Sequence, residues 1–226
     1  MCDKYDSFLH RMTKYRKNLD LTQVEISNEL GITQSQLSKM EQGKTIYSYK
    51  TLQALYAMKW DVDYFITGKK YEYAVSELSF MLADVKDKAL MQLVAWALIQ
   101  GIKKSTVQVN EETELEIELL MHRAYTTESH SLLYEIRTVS EISQIPMSEK
   151  LGVNIKKYRM LERNEISPDA ELLMRIYEET GCRPSLFLNP DCVDEMIISN
   201  LWQLVDPKVQ KEILLLVRQG ESVLNS

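Results

Sequence analysis

Glycine and proline are scarce, 7 and 5 residues in a chain of 226. Beside abundant Leu, Glu, Lys, Met and Ile, that scarcity favours helices throughout. A hydrophobic fraction of 45% and a charged fraction of 27% exclude an intrinsically disordered chain. Cysteine is also rare. Cys2 stands alone, and Cys182 and Cys192 are too far apart for a CxxC redox or zinc pair, so free thiols in a reducing compartment are expected. One of these could be a regulatory thiol, but buried or incidental cysteine is the plainer reading. No apolar run approaches the roughly 20 residues that span a bilayer. The first residues, Met1 to Asp6, lack the basic and apolar stretches of a signal peptide. A cytoplasmic protein with no membrane partner is therefore expected.

Catalytic signatures are missing as well. His10, His122 and His130 show no metal-ligand spacing, and no Ser/His/Asp, Walker or GxGxxG pattern occurs. Glu112, Glu114, Glu116 and Glu118 read as a solvated charge run rather than an acid–base pair. An enzyme is not expected, nor is a metal or cofactor. Positive charge is not in excess either, since the net charge is -6. That argues only weakly against a nucleic-acid partner. Phosphates respond to cations within a Debye length of roughly 8–10 Å, not to the sum over the chain.

What is present is an internal repeat. Arg16, Gln23, Leu30, Gly31 and Glu41 recur as Arg137, Gln144, Leu151, Gly152 and Glu162, each 121 positions on (152 − 31 = 121). Leu52, Leu55 and Tyr56 fall on Leu173, Ile176 and Tyr177. After a one-residue slip Phe65 falls on Phe187, and at an offset of 123 Ser76 and Leu78 reach Ser199 and Leu201. Two slips over that length are what loop drift produces. Chance likeness of amphipathic helices explains the leucines but not the matched Arg, Gln, Gly and Glu.

The first copy reads clearly. Phe8, Met12 and Tyr15 recur at helical spacing over Ser7 to Asn18. Thr22 caps a second helix, with Glu25 closing a capping box, and Gly31 ends it in a left-handed turn. Thr33 caps a third helix that Gly43 terminates. Two short helices about a glycine turn make the helix-turn-helix layout, whose second helix enters the major groove.

Leu21-Thr22-Gln23, Leu30-Gly31-Ile32, Leu37-Ser38 and Met40-Glu41-Gln42-Gly43, followed by Ser48, Leu52, Leu55, Phe65 and Gly68, resemble the Xre/Cro-type helix-turn-helix family of phage repressors and bacterial regulators. The likeness covers about residues 7–68. It implies a bundle of about five helices that binds operator DNA, usually as a homodimer. It further implies that Gln23 touches phosphate and braces Gln34, and that Arg16 and Glu41 form an internal salt bridge. By the same token Arg137 and Glu162 would pair in the second copy.

Residue chemistry agrees. Gln34, at the start of the third helix, can pair in bidentate fashion with adenine, and Ser35 and Lys39 share its face, so these three are the candidate base readers. Candidate phosphate contacts are Gln23, Thr33, Gln36, Lys44, Tyr47, Tyr49 and Lys50, gathered at the starts of helices two, three and four. In the second copy the reading positions become Ile155 and Met160. Lys156, Lys157 and Arg159 keep charge there, giving either a weak DNA surface or an assembly surface. Assembly is favoured, because Ile155, Tyr158 and Met160 would otherwise leave apolar area exposed.

The fold expected is all-α: a tandem duplication of a five-helix module, each copy followed by a helical hairpin, over residues 72–84 and 87–100 and again over 193–205 and 208–219. The boundaries expected are 1–68, 69–122, 123–190 and 191–226. Residues 105–119 are left open between a helix and a small β-hairpin, because Val107, Val109, Leu115 and Ile117 alternate while the composition is Glu-rich. The function expected is a sequence-specific transcription regulator, with the C-terminal copy assembling or sensing a peptide or small-molecule effector. The alternative is a protein-interaction module, an antitoxin or peptide-responsive switch, with DNA binding secondary.

Overall fold

A computed structural model describes residues 3–71, 78, 87–105, 107–128 and 130–224. Its α-helices are α1 (Asp3–Asn18), α2 (Gln23–Glu29), α3 (Gln34–Glu41), α4 (Tyr49–Ala57), α5 (Val62–Thr67), α6 (Lys88–Lys104), α7 (Glu111–Tyr125), α8 (Leu132–Val139), α9 (Gln144–Lys150), α10 (Ile155–Glu162), α11 (Ala170–Thr180), α12 (Pro184–Leu188), α13 (Val193–Trp202) and α14 (Pro207–Leu224). The protein is all-α, and among the described residues there is no strand. No helix of the described residues is long and apolar enough to cross a membrane. The helix expected over 72–84 lies outside the described residues apart from Leu78.

Three local expectations are corrected. Among the described residues the β-hairpin considered for 105–119 is absent, because residues 111–119 belong to α7. Asn110 caps that helix by accepting the Thr113 N–H at 2.9 Å, and Glu111, Glu112 and Glu114 sit in its first turn, where the helix dipole favours carboxylates. Glu116 is not part of a solvated run: it is buried and accepts a hydrogen bond from Asn200 Nδ2 at 2.9 Å. Likewise the helix expected to end at residue 100 runs on through Gly101 to Lys104.

The described residues gather into two compact units. Unit 1 comprises Met1–Tyr71, Ser148–Glu179 and Arg183–Asn189, and unit 2 comprises Glu72–Met147, Thr180–Cys182 and Pro190–Ser226. In unit 1, α1 to α5 surround Phe8, Met12, Ile26, Leu37, Leu52, Leu55 and Phe65, all buried. Burying side chains of this size stabilises by roughly 1.5–3 kcal/mol each. Edge-on aromatic pairs lock the centre, with Phe8 against Tyr47 at 5.3 Å and Tyr15 against Phe65 at 5.1 Å between ring centroids. Ala170, Leu173, Met174 and Leu188 from α11 and α12 complete the same core. Polar ties fasten them: the Ala170 N–H donates to the Tyr47 carbonyl (3.0 Å) and Gln53 Nε2 to the Leu188 carbonyl (3.3 Å). The fully buried Asp63 carboxylate accepts both the N–H and the Oγ–H of Ser185, at 2.7 and 2.6 Å.

Short helices end in one recurring way. After α2, the Gly31 N–H bonds the Asn28 carbonyl and the Ile32 N–H bonds that of Ser27; after α3, Gly43 bonds Met40 and Lys44 bonds Lys39. These are Schellman turns, closed by a left-handed residue at φ 64° and 69°. The same bonds recur 121 positions on, Gly152 to Glu149 and Val153 to Ser148, then Asn164 to Leu161 and Glu165 to Met160.

In unit 2, α6, α7 and α14 form the core around Leu98, Leu119 and Val217. A Cβ on Gly101 would stand 2.8 Å from Ile213 Cδ1 and 3.1 Å from Val205 Cγ1, so the missing side chain lets the chain pass close to α6. Arg123 of α7 donates to Asp194 on α13 (2.6 Å) and Glu135 on α8 (2.7 Å). Burial would lower its pKa, but the two carboxylates outweigh that and hold it above the usual arginine value.

Candidate nucleic-acid interface

The geometry at α3 starts from a buried charge pair. Arg16 on α1 grips Glu41 on α3 through Nε (2.6 Å) and Nη2 (3.0 Å), and its Nη1 donates to the Leu21 carbonyl at 2.6 Å. The hydrogen bonds that Arg16 donates to Glu41 push its pKa upward. The Glu41 Oε2 that receives Arg16 Nη2 also accepts from Gln23 of α2, whose Nε2 lies 2.7 Å away. The Gln23 carbonyl oxygen then receives the Gln34 Nε2 at 2.8 Å. Four side chains from three helices thus form a relay that ends at the first residue of α3.

The arithmetic of that last bond matters. A side-chain amide has two N–H donors and a carbonyl acceptor. Gln34 uses one donor on Gln23 and keeps one donor and its oxygen, the pair needed for adenine N7 and N6. Gln23 likewise keeps one N–H. Gln34, Ser35 and Lys39 are all exposed. Thr33 caps α3 by accepting the Gln36 N–H (3.2 Å), and Gln36 Oε1 returns to the Thr33 N–H (2.8 Å), so the box spends Gln36's oxygen and leaves its amide nitrogen for an anion. Lys44 and Lys50 are exposed.

Two of the expected phosphate contacts are corrected. Tyr47 is 1% exposed, inside the core against Phe8, and burial raises its phenol pKa. Its backbone N–H is held by the Tyr5 hydroxyl at 3.1 Å. Tyr49 donates its hydroxyl proton to the Phe187 carbonyl at 2.8 Å, so it has none for a phosphate. At the other end of α3, Ser38 Oγ accepts from Nε2 of the C-cap residue Gln42 at 3.0 Å, at i, i+4 spacing.

On α10, Asn154 caps by accepting the Lys157 N–H at 2.9 Å. Lys156, Lys157 and Arg159 are exposed, and Ile155 and Met160 are half-buried. Tyr158 does not add exposed apolar area as expected: it is fully buried and donates to Glu162 at 2.9 Å. Arg137 belongs to unit 2, where its Nη1 donates to the Ile142 carbonyl at 3.1 Å, as Arg16 does to Leu21. Glu162 belongs to unit 1. Among the described residues no group of His, Cys, Asp and Glu is placed to hold a metal ion.

No curated protein and no solved structure matches the chain. A family model does: residues 12–55 match HTH_3, helix-turn-helix. That stretch runs from within α1 to within α4 and contains the whole relay. Residues 12–55 of this chain therefore match a helix-turn-helix of the Xre/Cro type.

Proposed function

We propose that the chain is a sequence-specific transcriptional regulator whose α3 lies in the major groove. Gln34, Ser35 and Lys39 meet base edges, and Gln23, Thr33, Gln36, Lys44 and Lys50 meet phosphates. The observation that carries this reading is the relay, because Arg16, Glu41 and Gln23 fix Gln34 while leaving its base-pairing edge unspent. Pre-set side chains lose little entropy on binding.

We also read residues 123–190 as a second copy of the module. The Schellman turns at Gly152 and Asn164, the Asn154 cap and the Arg137 bond to Ile142 support it, each repeating its counterpart 121 positions earlier. In this reading the C-terminal part assembles or senses.

The test is selection of duplexes from a random-sequence pool with the full chain, followed by binding of Gln34→Ala and Lys39→Ala. Selected duplexes are expected to share a motif. Each variant should bind it about 5- to 150-fold more weakly, the equivalent of ~1–3 kcal/mol per base-edge contact, with an unchanged melting temperature. Equal affinity of the unaltered chain for every duplex overturns the reading.

A further inference from the structure

Unit 1 holds α10 as well as α3, and the way its halves join is informative. The α4–α5 pair shares one core with α11 and α12, and the residues buried there are counterparts under the sequence offset. Leu52 and Leu173 are both in it, as are Ile66 and Leu188. Through that core runs the bond from Ser185 to Asp63. These two are themselves counterparts, 122 positions apart like Phe65 and Phe187 (185 − 63 = 122). A residue touching its own counterpart is what a two-fold axis produces where it passes, as in a dimer whose patch meets itself.

We propose that a single chain is its own dimer: α10 is a second DNA-contacting helix, related to α3 by this pseudo-two-fold, and its ligand is the phosphate backbone of the adjoining half-site. This rests on the reading of α3 as the groove helix. The chemistry of α10 suits that ligand. Its exposed side chains include Lys156, Lys157 and Arg159, while its one carboxylate, Glu162, is buried against Tyr158. Ile155 and Met160 stand where Gln34 and Lys39 stand on α3. Apolar side chains can meet a thymine methyl but make no hydrogen-bonded reading. The operator is therefore asymmetric, with one half-site specified by α3 and the other held by charge.

The experiment uses the full chain and the duplexes recovered from the random pool, with hydroxyl-radical footprinting and sedimentation. One chain per duplex is expected, protecting two patches about one DNA turn (roughly 34 Å) apart, with sequence specified under only one. Lys156→Ala/Lys157→Ala should lose the second patch. Its affinity should fall on the order of 10-fold or more at 0.1 M salt, and its log–log salt slope by about 2. Lys156→Arg/Lys157→Arg should keep both patches and the slope. Two chains per duplex, a single protected patch, or an unchanged slope in the alanine variant overturns the proposal. Two patches protected by one chain without any selected sequence would instead remove base reading by α3 and leave the paired helices standing.

Discussion

At the scale of single residues, Gln23 carries two duties, one hydrogen bond inward to Glu41 and one outward to Gln34. Replacing it with alanine leaves the Arg16–Glu41 pair in place but frees Gln34 to rotate. We expect Gln23→Ala to lower specific affinity and to couple with Gln34→Ala by about 0.5–3 kcal/mol in a double-mutant cycle read by duplex binding. Additive losses would mean that the two amides act independently. Tyr5 makes a prediction in pH. Burial lifts its phenol to about 12, against an ordinary value near 10.0, though the Tyr47 N–H partly offsets this. The folded chain keeps that proton after the unfolded chain has lost it. The associated stability is therefore whole below pH ~10 and is lost as pH rises towards about 12, by on the order of 2–3 kcal/mol. Urea melts at pH 9 and 11.5 should show this loss. Tyr5→Phe should reduce it, after an initial cost of about 1–2 kcal/mol for the stranded Tyr47 N–H.

Among the elements, the turns and crossings set the tolerances. Gly31 has open space where a Cβ would go, so Gly31→Ala meets only the left-handed backbone penalty, ~1–2 kcal/mol in thermal or urea melts. Gly101→Ala has the opposite balance. Alanine would gain about 1 kcal/mol of helix propensity, but its methyl would press on buried Ile213 and on Val205. Overpacking of this kind costs about 1–3 kcal/mol, so net destabilisation is expected, and a more stable Gly101→Ala protein would contradict the crossing described. The same contrast explains what was legible beforehand. Thr22, Gly31, Thr33 and Gly43 act on backbone groups a few positions away, so their roles can be read without any tertiary knowledge. Residues 111–119 could not be settled that way. Their alternation suits a strand, and it is the Asn110 cap and the burial of Leu115, Leu119 and Leu120 that make them a helix. Tyr47, Tyr49 and Tyr158 failed for a related reason. A tyrosine has an apolar body and a polar tip. Which one counts depends on neighbours that can be more than 120 positions away, as Phe187 is from Tyr49.

For the molecule as a whole, unit 1 is woven from three separated stretches of chain. A fragment ending at residue 71 would retain the family-matched segment but lose Ala170, Leu173, Met174 and Leu188 from its core, and Ser185 from Asp63. We expect that fragment to melt well below the full chain and to bind selected duplexes more weakly; an equally cooperative, equally stable fragment would show that α11 and α12 are dispensable to it. The weave also constrains the order of events at the ribosome. Translation proceeds at roughly 5–20 residues per second, so the stretch from residue 71 to 189 takes roughly 6–24 s to emerge. Throughout that interval the nascent helix-turn-helix has an open apolar flank and nothing to cover it. Newborn copies should therefore be clients of holding chaperones until their own C-terminal half arrives.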